Sequence, residues 1–265
     1  MASAQPRQTK IIATLGPASE SVPMLVGLIE AGVDVVRLNM AHATEDWIRA
    51  VVARVREAGR KVGKDVAVMM DIKGPEIRTG ARAEPLALAV GQVVDISGRQ
   101  AGPEAGIELI PSNYDPIVTS VPRDGVVLID NGLIQLRVRE CRPDRLRCVV
   151  EQPGTLGSRR HVNLPGVKVE LPALTDKDRA DVALGCSVGA DLFALSFVRE
   201  AADVAALRAL LAEHGSRAGI VAKIEDQSAV EQLAPIITES DGLMVARGDL
   251  GIEIPYETLP LVQRR

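Results

Sequence analysis

The chain has 265 residues, 46% hydrophobic and 25% charged, with a net charge of −4 at neutral pH. That length holds one barrel-sized domain or two smaller ones. Aromatics reach only 2% (Trp47, Tyr114, Tyr256, Phe193 and Phe197), which argues against a base-stacking nucleic-acid module and leaves the core to Val, Leu, Ile and Ala.

Residues 1–10 are polar and lack the apolar segment of a secretory signal. A first strand is predicted over 10–15 (KIIATL), a helix over 21–31, and after a turn at Gly32 a second strand over 34–40 (DVVRLNM). A helix over 45–61 leads to a third strand, 65–71 (DVAVMMD). The pattern then breaks, and resumes with a helix over 176–187 and a fourth strand over 191–197 (DLFALSF). A helix over 200–213, a fifth strand over 219–224 (GIVAKI), a helix over 228–237 and a sixth strand over 241–246 (DGLMVA) complete it. Strands separated by helices in this way are parallel and joined by right-handed crossovers.

The break, 80–171, has another texture. Short alternating runs at 91–96, 126–129, 134–138 and 146–151 are separated by turn clusters, among them Asp130-Asn131-Gly132 and Arg142-Pro143-Asp144. That is a small all-β domain inserted after the third strand. Cys141, Cys148 and Cys186 form no CxxC pair and no metal spacing; they read as small buried thiols of a reducing, cytoplasmic protein. No run approaches the ~18 apolar residues of a membrane span, so neither membrane nor nucleic acid is an expected partner.

The unusual polar residues fall at the C-terminal ends of the parallel strands. Arg37, Asn39 and Ala41-His42 end the second, residues 71–78 follow the third, and Ser196 and Arg199 end the fourth. Lys223 and Glu225 end the fifth, with Arg247 and Asp249 after the sixth. In a (β/α)-barrel this is the face that carries active sites. Period two puts Arg37 with Asn39, and Lys223 with Glu225, on one side of their strands. Cations, carboxylates and an amide gathered there suggest phosphate handling with a divalent metal: Glu225 and Asp249 offer hard oxygens suited to Mg²⁺, and Arg37 and Arg78 can clamp phosphoryl oxygens. Residues 247–251 (RGDLG) should lead into a helix whose exposed N–H groups could hold a carboxylate. A Walker loop is absent: in GRKVGK, 59–64, only three residues separate the glycines, and Asp65 follows where Ser or Thr is needed.

Seven segments now resemble the motifs of the pyruvate kinase family, in that family's order: TKIIATLGPAS (9–19), DVVRLNMAH (34–42), MDIKGPEIRTG (70–80), HVNLPG (161–166), LPALTDKD (171–178), AKIED (222–226) and MVARGDLGIEIP (244–255). The resemblance implies an α/β fold: a (β/α)8 TIM-type barrel, incomplete at six strands, with an inserted all-β lid. Residues 1–79 and 172–265 would be the barrel and 80–171 the lid. The implied reaction moves phosphate from phosphoenolpyruvate to ADP, giving pyruvate and ATP. Lys223 would stabilise the phosphoryl group in flight and the enolate of pyruvate. Glu225 and Asp249 would hold Mg²⁺ or Mn²⁺, and the backbone of Gly248 and Asp249 would take the substrate carboxylate. Arg37 would bind the transferring phosphate and, with Asn39, His42 and Arg78, border the nucleotide phosphates; Arg160 of the lid would add charge for ATP. Asn39, Asp71 and the Ile72 carbonyl would belong to a K⁺ site. Full-length members are typically homotetramers.

The pattern has departures. Ala41 stands where that cation site has a serine, and Ile72 where it has a threonine, although Glu76 is the residue type that accompanies K⁺ dependence in the family. Arg160-His161 replaces a lysine and a glycine before VNLPG, and Asn131 replaces an acidic residue. The sequence ends at Arg265, inside the helix expected after the sixth strand. An isolated six-stranded arc would expose an apolar edge, and at most a trace of turnover is expected of it. Two other readings use the same residues: a metal-dependent aldolase or lyase acting through a pyruvate enolate, and a non-catalytic ligand-binding remnant.

Overall fold

The structure, a computed structural model, describes residues 8–98 and 101–265. From the N-terminus β1 (Ile12–Thr14), α1 (Val22–Glu30), β2 (Val35–Asn39), α2 (Glu45–Val62) and β3 (Ala67–Ile72) alternate. Short strands follow: β4 (Leu86–Leu88), β5 (Val93–Ser97), β6 (Glu108–Pro111), a helical turn α3 (Ile117–Ser120), β7 (Val126–Ile129), β8 (Ile134–Cys141), β9 (Leu146–Gln152), β10 (Gly154–Leu156) and β11 (Val162–Asn163). Alternation resumes with α4 (Asp176–Ser187), β12 (Leu192–Leu195), α5 (Ala201–Glu213), β13 (Gly219–Ile224), α6 (Gln227–Glu231), α7 (Leu233–Glu239), β14 (Gly242–Val245), α8 (Arg247–Glu253) and, after a 3₁₀ turn, α9 (Leu259–Arg264).

The chain divides into two compact units. One comprises 1–74, 173–223 and 233–244; the other comprises 75–172, 224–232 and 245–265. The second therefore takes in two stretches beyond the β-rich segment, and local contacts explain why. Asn163 in β11 donates to Glu253 in α8 at 2.7 Å, and Ile252 lies against Gly132.

In the first unit a six-stranded sheet runs β1-β2-β3-β12-β13-β14. β1 to β2, β2 to β3, β3 to β12 and β12 to β13 pair in parallel. β3 is buried over nearly its whole length, as a parallel strand covered on both faces should be. α2 shows how local sequence sets a helix. Thr44 caps it by accepting from the Trp47 N–H at 3.3 Å, acidic Glu45 and Asp46 open it, and Gly63 at φ 71° ends it. Its buried stripe is Ile48, Val51, Val52 and Val55, spaced for one face. Burying each such side chain contributes about 1.5–3 kcal/mol. Ile11 and Ile12 at β1 and Leu243 in β14 are exposed at the outer strands of the sheet.

The helix expected over 228–237 is instead two, α6 and α7, broken at Gln232. Pro235 explains the break: it lacks an N–H, and its ring would strike the carbonyl four residues back, so no single helix runs through it.

In the second unit one sheet runs β11-β7-β8-β9-β5-β6, and β10 pairs with β4 beside it. Ile96, Val127, Leu136, Val138 and Val150 sit in its core. Asp130, Asn131 and Gly132 have φ of 56°, 57° and 81°, the left-handed backbone that short polar residues and glycine tolerate in a β7–β8 turn. Among the described residues, no helix is long and apolar enough to cross a membrane.

Candidate functional site

Parallel pairing brings distant residues level. Thr14 stands in register with Arg37, Asn39 with Asp71, and Leu195 with both Ile72 and Ala222. Ser196 and Lys223 each lie one residue beyond a register pair, and there the polar groups meet. Lys223 Nζ donates to Ser196 Oγ at 2.7 Å and lies 3.4 Å from Asp71 Oδ1. Ser196 Oγ donates to Asp71 Oδ1 at 3.3 Å. Arg37 Nε donates to Asp71 Oδ2 at 2.5 Å, its Nη2 pairs with the same oxygen, and its Nη1 donates to Thr14 at 2.9 Å. The terminal nitrogens of Arg37 keep further N–H donors.

Asp71, Ser196 and Lys223 are buried. Buried charges survive only when paired and hydrogen-bonded, and here one carboxylate stands between two cations. The backbone that presents Ser196 is itself under constraint. Phe197 has φ 54°, a left-handed conformation that costs a bulky residue about 1–2 kcal/mol. Gly74, at φ 70°, packs so closely that a Cβ there would lie 2.8 Å from the Ser196 carbonyl oxygen. Its N–H donates to Asp178 Oδ1 at 3.0 Å, while Asp178 Oδ2 closes the capping box of α4 with Thr175.

Of the residues singled out in the sequence, Arg37, Asp71 and Lys223 are therefore brought together. Thr14 and Ser196 join them, though no role had been given to either. Asn39 is level with Asp71, but its Oδ1 accepts from the Ala41 N–H at 3.0 Å. His42 is exposed, and the Ile72 side chain is buried.

The remaining candidates belong to the second unit. Arg78 Nε donates to Glu76 Oε2 at 2.6 Å and its Nη1 to the Arg159 carbonyl at 2.8 Å. Arg160 is exposed and reaches Asp130 at 3.5 Å. Glu225 is buried. Residues 247–251 do not precede a helix; they are most of α8 itself, whose first turn carries Gly248 and the half-buried Asp249. A Cβ at Gly248 would meet nothing within 4 Å, so its backbone is open to approach. Asp226 caps α6, accepting from the Ala229 N–H at 2.7 Å.

Glu253 is the residue that sequence reasoning missed. Burial pushes its carboxyl up to about 7, the acidic neighbours Asp226 and Asp249 push the same way, and the hydrogen bond from Asn163 opposes them. A signal existed: a lone carboxylate between two isoleucines and a proline, in IEIP, is placed where water is scarce.

Among the described residues no group of three His, Cys, Asp or Glu side chains could hold a metal by itself. Mg²⁺ does not require one, since it is commonly held by one or two carboxylates plus substrate oxygens and water. Glu225 and Asp249 supply such oxygens, and the effect of Asp226 and Asp249 on Glu253 marks a local excess of negative charge that a cation would relieve. The residues named for K⁺ fit poorly. Asn39 and Asp71 spend side-chain oxygens on protein donors, and Ala41 has none to offer.

A family profile described as pyruvate kinase, barrel domain, matches residues 6–265. The chain is 44% identical over 262 residues to a pyruvate kinase of Sporosarcina psychrophila and 43% identical over 262 residues to one of Bacillus licheniformis. Each match covers 97% of this chain and 44% of the relative, so the chain spans less than half the length of these relatives. It is also similar to the crystal structure of a pyruvate kinase from Cryptosporidium parvum, with a TM-score of 0.92 at 38% identity over 97% of this chain and 54% of that one.

Proposed function

This chain belongs to the pyruvate kinase family, and on that footing we propose that it serves phosphoryl transfer from phosphoenolpyruvate to ADP, giving pyruvate and ATP. The observation that carries the proposal is the network joining the half-buried Arg37 to the buried Asp71, Ser196 and Lys223. Phosphoryl transfer asks a protein mainly for positioning and for positive charge fixed where negative charge develops. Lys223 meets that need because Ser196 and Asp71 hold its ammonium group in place. Its charge is then ready for the transferring phosphoryl group and for the enolate oxygen of pyruvate. Arg37, braced by Asp71 and Thr14, directs its remaining N–H groups to phosphoryl oxygens.

In the second unit, Glu225 and Asp249 would hold Mg²⁺ or Mn²⁺, which supplies charge neutralisation at the phosphoryl oxygens. The open backbone of Gly248 and Asp249 suits the carboxylate of phosphoenolpyruvate, and Arg78 and Arg160 suit nucleotide phosphates. His42, which is exposed, is the remaining side chain proposed for the nucleotide. No step is assigned to K⁺, because the residues named for it do not offer a free set of oxygens.

The test is pyruvate formation in a coupled assay with phosphoenolpyruvate, ADP and Mg²⁺. Turnover should need all three and fall by about 10²–10³-fold or more in Lys223→Met, the scale of losing one preorganised electrostatic group. An unchanged rate in Lys223→Met would contradict the assignment.

A further inference from the structure

Asn163 is buried, and its two polar atoms are treated unequally. Nδ2 donates to Glu253 Oε1 at 2.7 Å, while Oδ1 is buried and accepts no hydrogen bond. A buried amide oxygen without a donor loses its bonds to water and gains none in return, so a native pairing of this kind needs an explanation. An ionised carboxylate beside it can only accept. A neutral carboxyl can accept at one oxygen and donate from the other, and an acid facing a primary amide then closes a ring of two hydrogen bonds: N–H to the acid carbonyl, and O–H to the amide oxygen.

We propose that Glu253 is a positioning residue that works as a neutral carboxyl, closing a paired hydrogen bond with Asn163 and so fixing the last turn of α8 to β11. The inference rests on the functional reading above, in which the first turn of the same short helix carries Gly248 and Asp249. It deepens the reading by adding a residue that acts through them.

The surroundings agree with the geometry. The charged groups bearing on Glu253 are Asp226, at the start of α6, and Asp249, one helical turn back in α8, and both are acidic. β11 contributes only the amide of Asn163. Tyr256 and Leu259 of the following segment come against Gly251 in α8, and Ile252 lies by Gly132 of the β7–β8 turn. These are apolar contacts that bring no counter-charge. Ionising Glu253 would remove the donor to Asn163 Oδ1 and add a third negative charge to the group. The pair would then loosen, and α8 with it.

The experiment is a pH titration of the full chain followed by isotope-edited infrared difference spectroscopy. The Glu253 carboxyl band is assigned by its loss in Glu253→Gln. In parallel, hydrogen-exchange protection, corrected for the intrinsic pH dependence of amide exchange, is measured for the amides of residues 250–254, which make the hydrogen bonds of α8, with Asn163→Ala as a second variant. A protonated carboxyl persisting to about pH 7, with protection at 250–254 falling as it ionises, is the expected result. Glu253→Gln, which keeps both a donor and an acceptor, should hold protection high and independent of pH, while Asn163→Ala should leave it low throughout. A Glu253 already ionised at pH 5.5, or protection at 250–254 indifferent to both variants, would overturn the proposal. Neither readout needs substrate. A chain with this titration that fails to bind phosphoenolpyruvate supports the pair and counts against the phosphoryl-transfer reading alone.

Discussion

Asp95 in β5 and Glu253 in α8 belong to the same unit, yet their carboxyls are driven in opposite directions. Burial would raise both. At Asp95 the guanidinium groups of Arg147 and Arg145 outweigh burial, donating at 3.0–3.3 Å, and the carboxyl is held below its usual range. At Glu253 the hydrogen-bonding partner among the described residues is the Asn163 amide, the charged neighbours are acidic, and the carboxyl rises to about 7. Depth does not decide ionisation; what stands opposite does. The β5–β9 face uses its buried charge as a fixed ionic joint, whereas the β11–α8 contact holds a group that can change state near neutral pH.

The largest expected effect comes from breaking the ionic joint. Asp95→Ala removes the buried carboxylate shared by Arg145 and Arg147, which keep only the more exposed Asp144 and Glu104, and should cost about 3 kcal/mol or more, read as a lowered urea midpoint at pH 7. Next comes the pH dependence of stability. Glu253 has a folded value above its ordinary 4.5, so its stabilising contribution is complete below about 4.5 and is lost as pH rises through about 7. Asp95 has the opposite sign: its contribution is present above the ordinary 3.8 and disappears as pH falls through its lowered folded value. Glu253→Gln should therefore flatten the loss between about pH 4.5 and 7, worth at most roughly 3 kcal/mol at neutral pH, and leave the acid limb unchanged. A flat wild-type profile over that window would remove the distinction between the two sites. The smallest effect is expected at Glu140, which also pairs with an arginine, Arg142, at 3.0 Å. That pair is on the surface, and Glu140→Gln should leave the urea midpoint where it was.

The sequence carried some of this more readily than the rest. Helix 176–187 and strands 219–224 and 126–129 have the expected bounds, because a cap, a glycine or an apolar run marks each end. The short β10, β11 and the Pro-terminated β6 show no period in the sequence, and these three are absent from the expected elements. Arg37 and Lys223 stood out as charges in apolar strands. Thr14 did not, and Ser196 stands in the sequence only as a polar strand end without a role, since a lone hydroxyl there is common and only register reveals its partners. Glu253 depends on Asn163, ninety residues away in the chain, a pairing that no local pattern announces. The split at Gln232 is the opposite case: its cause, Pro235, is local and in plain view.

The central claim is that the Arg37–Asp71–Ser196–Lys223 network is built to receive a phosphoryl group. Titration calorimetry of phosphoenolpyruvate into the chain, with and without Mg²⁺, tests it most directly. Saturable binding that strengthens with Mg²⁺ and is lost in Lys223→Met, while Glu140→Gln binds as the wild type does, is the predicted result. Binding that survives Lys223→Met undiminished would place the phosphoryl group elsewhere and contradict the account.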